Sequence, residues 1–169
     1  MNTKVECLKE CLKNLCKNNK FIWFFVDIIM KGGIILSDEH PRMKFFIRNL
    51  ENSQWRVREE SAEALGEIGD KLAVEPLIKC LKDNDWHVRE AAALSLGILD
   101  DSQAMEPLLN TLNDKKDSVR YGAALALSSI GDETSLEPLK IAANDESMMV
   151  RQIAEFSIEE INLRRNIND

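Results

Sequence analysis

An all-α solenoid of stacked antiparallel helix pairs is predicted by three features of this 169-residue sequence. Pro76, Pro107 and Pro138 lie 31 residues apart, each preceded by a glutamate (Glu75, Glu106, Glu137) and followed by a leucine (Leu77, Leu108, Leu139). The pair Val-Arg recurs four times at the same period, as Val57-Arg58, Val88-Arg89, Val119-Arg120 and Val150-Arg151. Ala62, Ala93 and Ala124 keep it too, with Leu65, Leu96 and Leu127, and with Asp70, Asp101 and Asp132. A period held over three units without insertion marks a repeat architecture. The chain has only four prolines, seven glycines and 6% aromatics, which favours helices over a β-sandwich.

Taken in chain order, Lys4–Lys17 is predicted as a helix with Val5, Leu8, Leu12 and Leu15 on one stripe, closing the N-terminal end. A degenerate unit follows. Phe45, Phe46, Ile47 and Leu50 fall one period before Pro76, Leu77, Ile78 and Leu81, while Val26-Asp27 replaces Val-Arg and Ile34 replaces Leu65. The first regular unit opens with a helix whose Val57, Ser61, Ala62, Leu65 and Ile68 share a face. Its small residues (Ser61, Ala62, Ala64, Gly66) permit close helix approach, and Gly69-Asp70 ends it. A second helix is expected over roughly residues 73–82, with Val74, Leu77, Ile78 and Leu81 inward. Pro76 sits in its first turn, where the missing N–H costs least, and Glu75 lies near the positive end of the helix dipole. Asp83, Asn84 and Asp85 form a short turn able to cap the next helix. The pattern then repeats, and a final helix over about residues 147–164 closes the other end. The domain organisation expected is therefore residues 1–52, an N-terminal capping helix with a degenerate unit, and residues 53–169, three regular 31-residue repeats with a C-terminal capping helix. Departures at both ends are what a solenoid needs to stop stacking.

The run Val57-Arg58, Ala64-Leu65-Gly66, Ile68-Gly69-Asp70, Glu75-Pro76-Leu77 closely resembles HEAT repeats of the phycobilisome-lyase type, over residues 54–161. That resemblance implies the fold; the scaffold itself serves many tasks. It also implies a ladder between units, built by an aspartate before each first helix and that helix's arginine. Asp83, Asp114 and Asp145 with Arg89, Arg120 and Arg151 match it. Asn52 stands beside Arg58 where the pattern has aspartate, so the first rung departs from it. Two enzymatic relatives are implied as alternatives. Deoxyhypusine hydroxylase resembles this class but binds iron through paired His-Glu motifs, and no His-Glu dipeptide occurs here. Bilin lyases attach tetrapyrroles, and nothing in the sequence identifies a bilin pocket.

Charge narrows the partner class. Residues 1–52 hold 9 Lys/Arg against 6 Asp/Glu (net +3), and residues 53–169 hold 13 against 23 (net −10). An acidic array repels phosphates, so nucleic-acid binding is not expected for the bulk of the chain, while the basic N-terminal part leaves an anionic partner open. Phe21–Leu36 carries Asp27 and Lys31, begins late for a leader peptide and is short for a membrane span. It reads as core, with membrane-surface contact as the alternative. Cys7, Cys11, Cys16 and Cys80 are too few and too clustered for a secreted disulfide framework, which points to reduced thiols in a cytoplasm. Cys7, Cys11 and Cys16 lie near one another on a helix but lack a fourth ligand, so small buried hydrophobes are favoured over a metal site. His40 and His87 lack a nearby cysteine or second histidine and read as exposed polar residues. No Gly-rich phosphate loop, Gly-x-Ser-x-Gly or His-Glu-x-x-His motif is present. No catalytic, metal or cofactor residue is assigned, and the expected function is a non-catalytic protein-binding scaffold.

Two candidate partner surfaces follow from spacing. Second helices usually line the concave side of such arrays. Their outward stripe reads Lys44/Arg48/Glu51 in the degenerate unit, then Glu75/Lys79/Lys82, Glu106/Asn110/Asn113 and Glu137/Ile141/Asn144. Glu75, Glu106 and Glu137 are explained by dipole complementarity rather than by a carboxylate site. On the outer face of the first helices, unit one reads Glu60, Glu63 and Glu67. The aligned positions then become Ala91, Leu94, Ile98; Gly122, Leu125, Ser129; and Ile153, Phe156, Glu160. Apolar residues accumulating where water is expected mark an interaction site. Leu94, Ile98, Leu125, Ile153 and Phe156 therefore form a candidate patch for self-association or a partner, with local burial by curvature as the competing account.

Overall fold

Eight α-helices and no strand occupy residues 41–168, the part of the chain that this computed structural model describes. They are α1 (Pro41–Asn49), α2 (Trp55–Ile68), α3 (Val74–Cys80), α4 (Trp86–Leu99), α5 (Met105–Thr111), α6 (Asp117–Ile130), α7 (Leu136–Ala142) and α8 (Met148–Asn168). The expectations for Lys4–Lys17, Phe21–Leu36, Val26-Asp27, Ile34, His40 and the three N-terminal cysteines lie outside the described residues.

Helix ends follow from the residues the repeat preserves. Gly69 takes the left-handed conformation (φ 73°) and returns its N–H to the carbonyls of Leu65 and Gly66, stopping α2. One period later Asp100 takes that conformation (φ 48°), a strained choice for a residue with a Cβ. Asp70, Asp101 and Asp132 then each accept the N–H two residues on, from Leu72, Gln103 and Thr134 at 3.0, 3.0 and 2.8 Å. Each opens a single 3-10 turn (Lys71–Ala73, Ser102–Ala104, Glu133–Ser135) that feeds a two-turn second helix. The expected helix over 73–82 is shorter in its α portion at both ends: Ala73 belongs to the aspartate-capped turn, and Leu81 and Lys82 form the turn after Cys80. The last helix runs longer than expected, to Asn168.

Packing places α2, α4, α6 and α8 side by side in chain order, and α1, α3, α5 and α7 each lie mainly on the first helix that follows. Leu65, Leu77, Leu96, Leu108, Leu127 and Leu139 are fully buried, two per unit, and join into one apolar spine. Burying each such side chain stabilises by roughly 1.5–3 kcal/mol. In α1 and the turn after it, Met43 and Leu50 are buried at the positions one period before Val74 and Leu81. Phe46 and Ile47 are half-buried and Phe45 is exposed.

First helices approach closely because small residues line their seams. Ser95 Oγ donates to the Ala62 carbonyl at 2.9 Å, and Ser157 Oγ donates to the Ala124 carbonyl at 2.8 Å. A Cβ on Gly97 would lie 2.8 Å from Ala126 Cα, on the backbone of the next helix, whereas one on Gly122 would meet its nearest neighbours at 3.5 Å. The two glycines therefore answer oppositely to alanine. Helix propensity favours either substitution by about 1 kcal/mol, but overpacking at Gly97 costs about 1–3 kcal/mol. Urea denaturation is expected to show Gly97→Ala less stable and Gly122→Ala more stable than the native chain.

Candidate functional site

The most regular polar feature is a ladder of bidentate ion pairs. Arg58 Nε and Nη2 donate to Asp83 at 2.7 and 2.7 Å, Arg89 to Asp114 at 2.7 and 2.9 Å, and Arg120 to Asp145 at 2.7 and 2.8 Å. Each arginine's Nη1 donates to the backbone carbonyl six residues earlier, at Asn52, Asp83 and Asp114 respectively. The rung therefore runs from one unit's arginine to the next unit's aspartate, and the arginine meets its own unit's turn through the backbone alone. Asn52 costs Arg58 nothing, because only a backbone oxygen is needed there. The departure falls instead at Arg151, whose Nη1 donates to Asp145 O at 2.8 Å and Glu146 O at 3.1 Å. Among the described residues no carboxylate reaches it.

Above this ladder lies a groove of about 760 Å³ between α3 and α5. Ile78 and Leu81 supply apolar wall, and Lys82, Glu106, Asn110 and Asn113 supply polar rim. The Arg89–Asp114 rung forms part of its lining. Of the second-helix stripe read from the sequence, Glu75, Lys79, Lys82, Glu106, Asn110, Asn113, Glu137, Ile141 and Asn144 are all exposed. Four of these line the groove; Glu75 and Lys79 pair with each other at 3.6 Å, and Glu137 pairs with Lys140. Asn110 and Asn144 each donate to the carbonyl four residues back, which fixes their side chains against the helix.

The outer face of the first helices is broken up by neighbouring helices. Ile98 (65%) and Phe156 (45%) are exposed, while Leu94, Leu125 and Ile153 are half-buried. Leu94 lies over Gly122 of the next helix, within 3.5 Å of where a Cβ would stand. Met149, Leu163 and Ile167 add further exposed apolar surface along α8.

His87 is not the exposed residue expected. Its ring stacks between Trp86 (3.5 Å) and Trp55 (4.2 Å), and Nδ1 lies 2.8 Å from Asp85 Oδ1. Arg56 sits over Trp55 and Lys116 over Trp86, completing a stack along the helix N-termini of three units. The His87 hydrogen bond holds the Asp85 carboxyl below its usual range. The 31-residue interval between Trp55 and Trp86 was the available signal.

Comparison with known families decides the architecture's name. The model of the family described as HEAT repeats matches residues 43–118 and 98–159. The chain belongs to the HEAT-repeat family. No curated protein sequence matches it. Among solved structures, the HEAT array is similar to human deoxyhypusine hydroxylase in complex with glycerol (TM-score 0.64, 22% identity), covering 75% of this chain and 45% of that one. It is also similar to an engineered protein (TM-score 0.58, 22% identity; 71% and 62% covered). A third is the complex of CpcE and CpcF of phycocyanin lyase from Nostoc sp. PCC7120 (TM-score 0.55, 18% identity; 78% and 68% covered). The chain spans less than half of the hydroxylase. At these identities the likeness is one of fold.

Chemistry-bearing groups within the HEAT array are dispersed. Among the described residues no three His, Cys, Asp or Glu side chains converge as metal ligands, and no helix is long and apolar enough to cross a membrane. Cys80 is a free, buried thiol whose pKa burial pushes up to about 11. Glu63, on the acidic outer stripe of α2, is raised by desolvation and by the charges of Glu59, Glu67, Glu60 and Glu90.

The ladder sets the acid response. Burial opposes ionisation of Asp83 and Asp114, yet their arginine and backbone hydrogen bonds outweigh it and hold both carboxyls below the usual range. Asp145 is lowered first by Arg120. A depressed folded-state pKa contributes stability that is present above the unfolded value of about 3.9 and lost as pH falls through the folded one. Asp114→Asn is expected to destabilise the array by roughly 1.5–3 kcal/mol at pH 7. In urea titrations across pH, the gap to the native chain should close below pH ~4.

Proposed function

We propose that this chain is a non-catalytic scaffold or adaptor, of the phycobilisome-lyase type within the HEAT family, that binds a protein partner across the face formed by α3, α5 and α7. The observation that carries the reading is the α3–α5 groove. Its apolar wall and mixed-charge, amide-bearing rim suit a polypeptide, which presents apolar side chains and backbone hydrogen-bonding groups together. The net acidity of residues 53–169 argues against a phosphate-rich partner on this face. A cytoplasmic location accords with the cysteine usage.

A second reading, an accessory subunit of a HEAT-type enzyme, is favoured by the likeness to a hydroxylase and to a two-protein lyase complex. Stoichiometric iron or a bound chromophore in protein purified from its native source would support it over the scaffold reading.

Photo-crosslinking distinguishes the surfaces. A benzoylphenylalanine at Asn110 or Asn113 is expected to capture one discrete protein from native lysate, and one at Ile98 or Leu125 is not. The charge reversal Lys82→Glu with Glu106→Lys should release that protein while the helical circular dichroism stays unchanged. Capture only from Ile98 or Leu125 would move the partner to the outer face. No discrete capture from any of the four would refute the scaffold reading.

A further inference from the structure

The outward side of α8 departs from every other first helix in a patterned way. In the interior seams, the positions facing the next unit are small: Ala62, Ala93 and Ala124 are fully buried, and of Gly66, Gly97 and Ser128 the first two leave so little room that an added Cβ would lie within 3 Å of the next helix. One period on, α8 carries Glu155 and Glu159 at those positions, both exposed. Two carboxylates in place of alanine and of glycine or serine prevent another regular unit from pressing in, through size and through the desolvation of buried charge. Yet the arginine of the ladder is retained. Arg151 keeps the backbone half of the rung, at 2.8 Å from Asp145 O, so its guanidinium is held in the interior rungs' manner with Nε and Nη2 left over.

The interior rungs show what complements this face. In each, an aspartate in the turn before a helix pairs with the preceding arginine, and its carboxylate also accepts the N–H two residues on. The residue twelve positions after that aspartate enters the seam: Ser95 after Asp83, Ala126 after Asp114, Ser157 after Asp145. Ser95 rests on the Ala62 carbonyl and against Gly66, so the twelfth residue lies between the two small positions. On α8 that place lies between Glu155 and Glu159.

We propose that the outward face of α8 docks a partner helix bearing an aspartate in its capping turn and a lysine or arginine twelve residues later. The aspartate completes the rung with Arg151, and the base sits between Glu155 and Glu159, its length filling the gap that the glutamates impose. Helix α2 of a second copy does not carry that pair, its residues at the two places being Asn52 and Ala64. This surface is separate from the α3–α5 groove, so either proposal can fail without the other.

The probe is a hydrocarbon-stapled peptide copying Asn113–Gly131, which docks on α4 in the intact array, with Ala126→Lys. Fluorescence anisotropy against the full chain is expected to show it binding at least about tenfold tighter than the unmodified peptide or one also carrying Asp114→Asn, the loss expected for one charge-assisted pair. Arg151→Gln should remove the preference for aspartate, and Glu155→Lys with Glu159→Lys should transfer binding to an Ala126→Glu peptide. Equal binding of all peptides, or preferences unchanged in these variants while their melting temperature is retained, overturns the proposal and leaves Arg151 as a staple of its own turn.

Discussion

The close approach of successive first helices constrains everything else in this array. With Gly97 set against the Ala126 backbone, and Ser95 and Ser157 hydrogen-bonded to the carbonyls of Ala62 and Ala124, each helix is locked to the next at one height and one rotation. That lock brings the turn aspartate of one unit within reach of the arginine of the unit before, so the bidentate ladder is a consequence of the seam. The ladder returns the favour electrostatically. A planar guanidinium gripping a carboxylate on one side and a carbonyl on the other tolerates little sliding. Rigidity of this kind suits a surface that must present groups to a partner without paying to order them.

Much of this was legible from residue spacing because repeats amplify weak signals. A single Val-Arg pair means nothing; four at one interval place Val88, Val119 and Val150 fully buried with Val57 half-buried, and put Arg58, Arg89 and Arg120 into the ladder. Leu65, Leu96 and Leu127 likewise fall at 0% exposure, where a period-3.6 reading puts them. What spacing did not convey was the offset of the rungs. The resemblance to HEAT repeats set Asp83 with Arg89, six residues later in the same unit. The fold joins them only through a backbone carbonyl and sends the carboxylate back 25 residues to Arg58. Sequence neighbours on either side of a turn point along different units, and only the stacking geometry reveals which.

The surfaces were harder to read for a related reason. Helical periodicity separates a core-facing stripe from its opposite, but in a solenoid a first helix has neighbours on three sides. Ala91 and Gly122 occupy positions that face water at Glu60 in unit one, and both are buried by lateral packing. Leu94 and Leu125 are half-covered by the same effect, so the apolar outer face is smaller than its residue list suggests. The second-helix stripe was easier. Those helices are two turns long and lie on top of the first helices, and nothing covers their outward side among the described residues. His87 was misread because Trp55, its second stacking partner, becomes a neighbour only when units stack.

The same seam logic separates the two surfaces proposed for partners, one by shape and the other by charge. Along α3, α5 and α7 the repeat conserves geometry while the side chains vary, from Lys82 to Asn113 to Asn144 and from Lys79 to Asn110 to Ile141, so the scaffold is constant and the contacts are free to specialise. On α8 the reverse holds. The helix keeps Val150 and Ala154 buried against the array but exchanges the small seam residues for glutamates. If α8 served only to keep water off the last unit, any polar residue beside Arg151 would suffice, and the guanidinium would add nothing beyond a turn staple. Arg151 shares with Arg58, Arg89 and Arg120 the Nη1 bond to the carbonyl six residues earlier, and the proposed docking adds a directional requirement to it. On that proposal a partner brings its own carboxylate in the register the interior units already display.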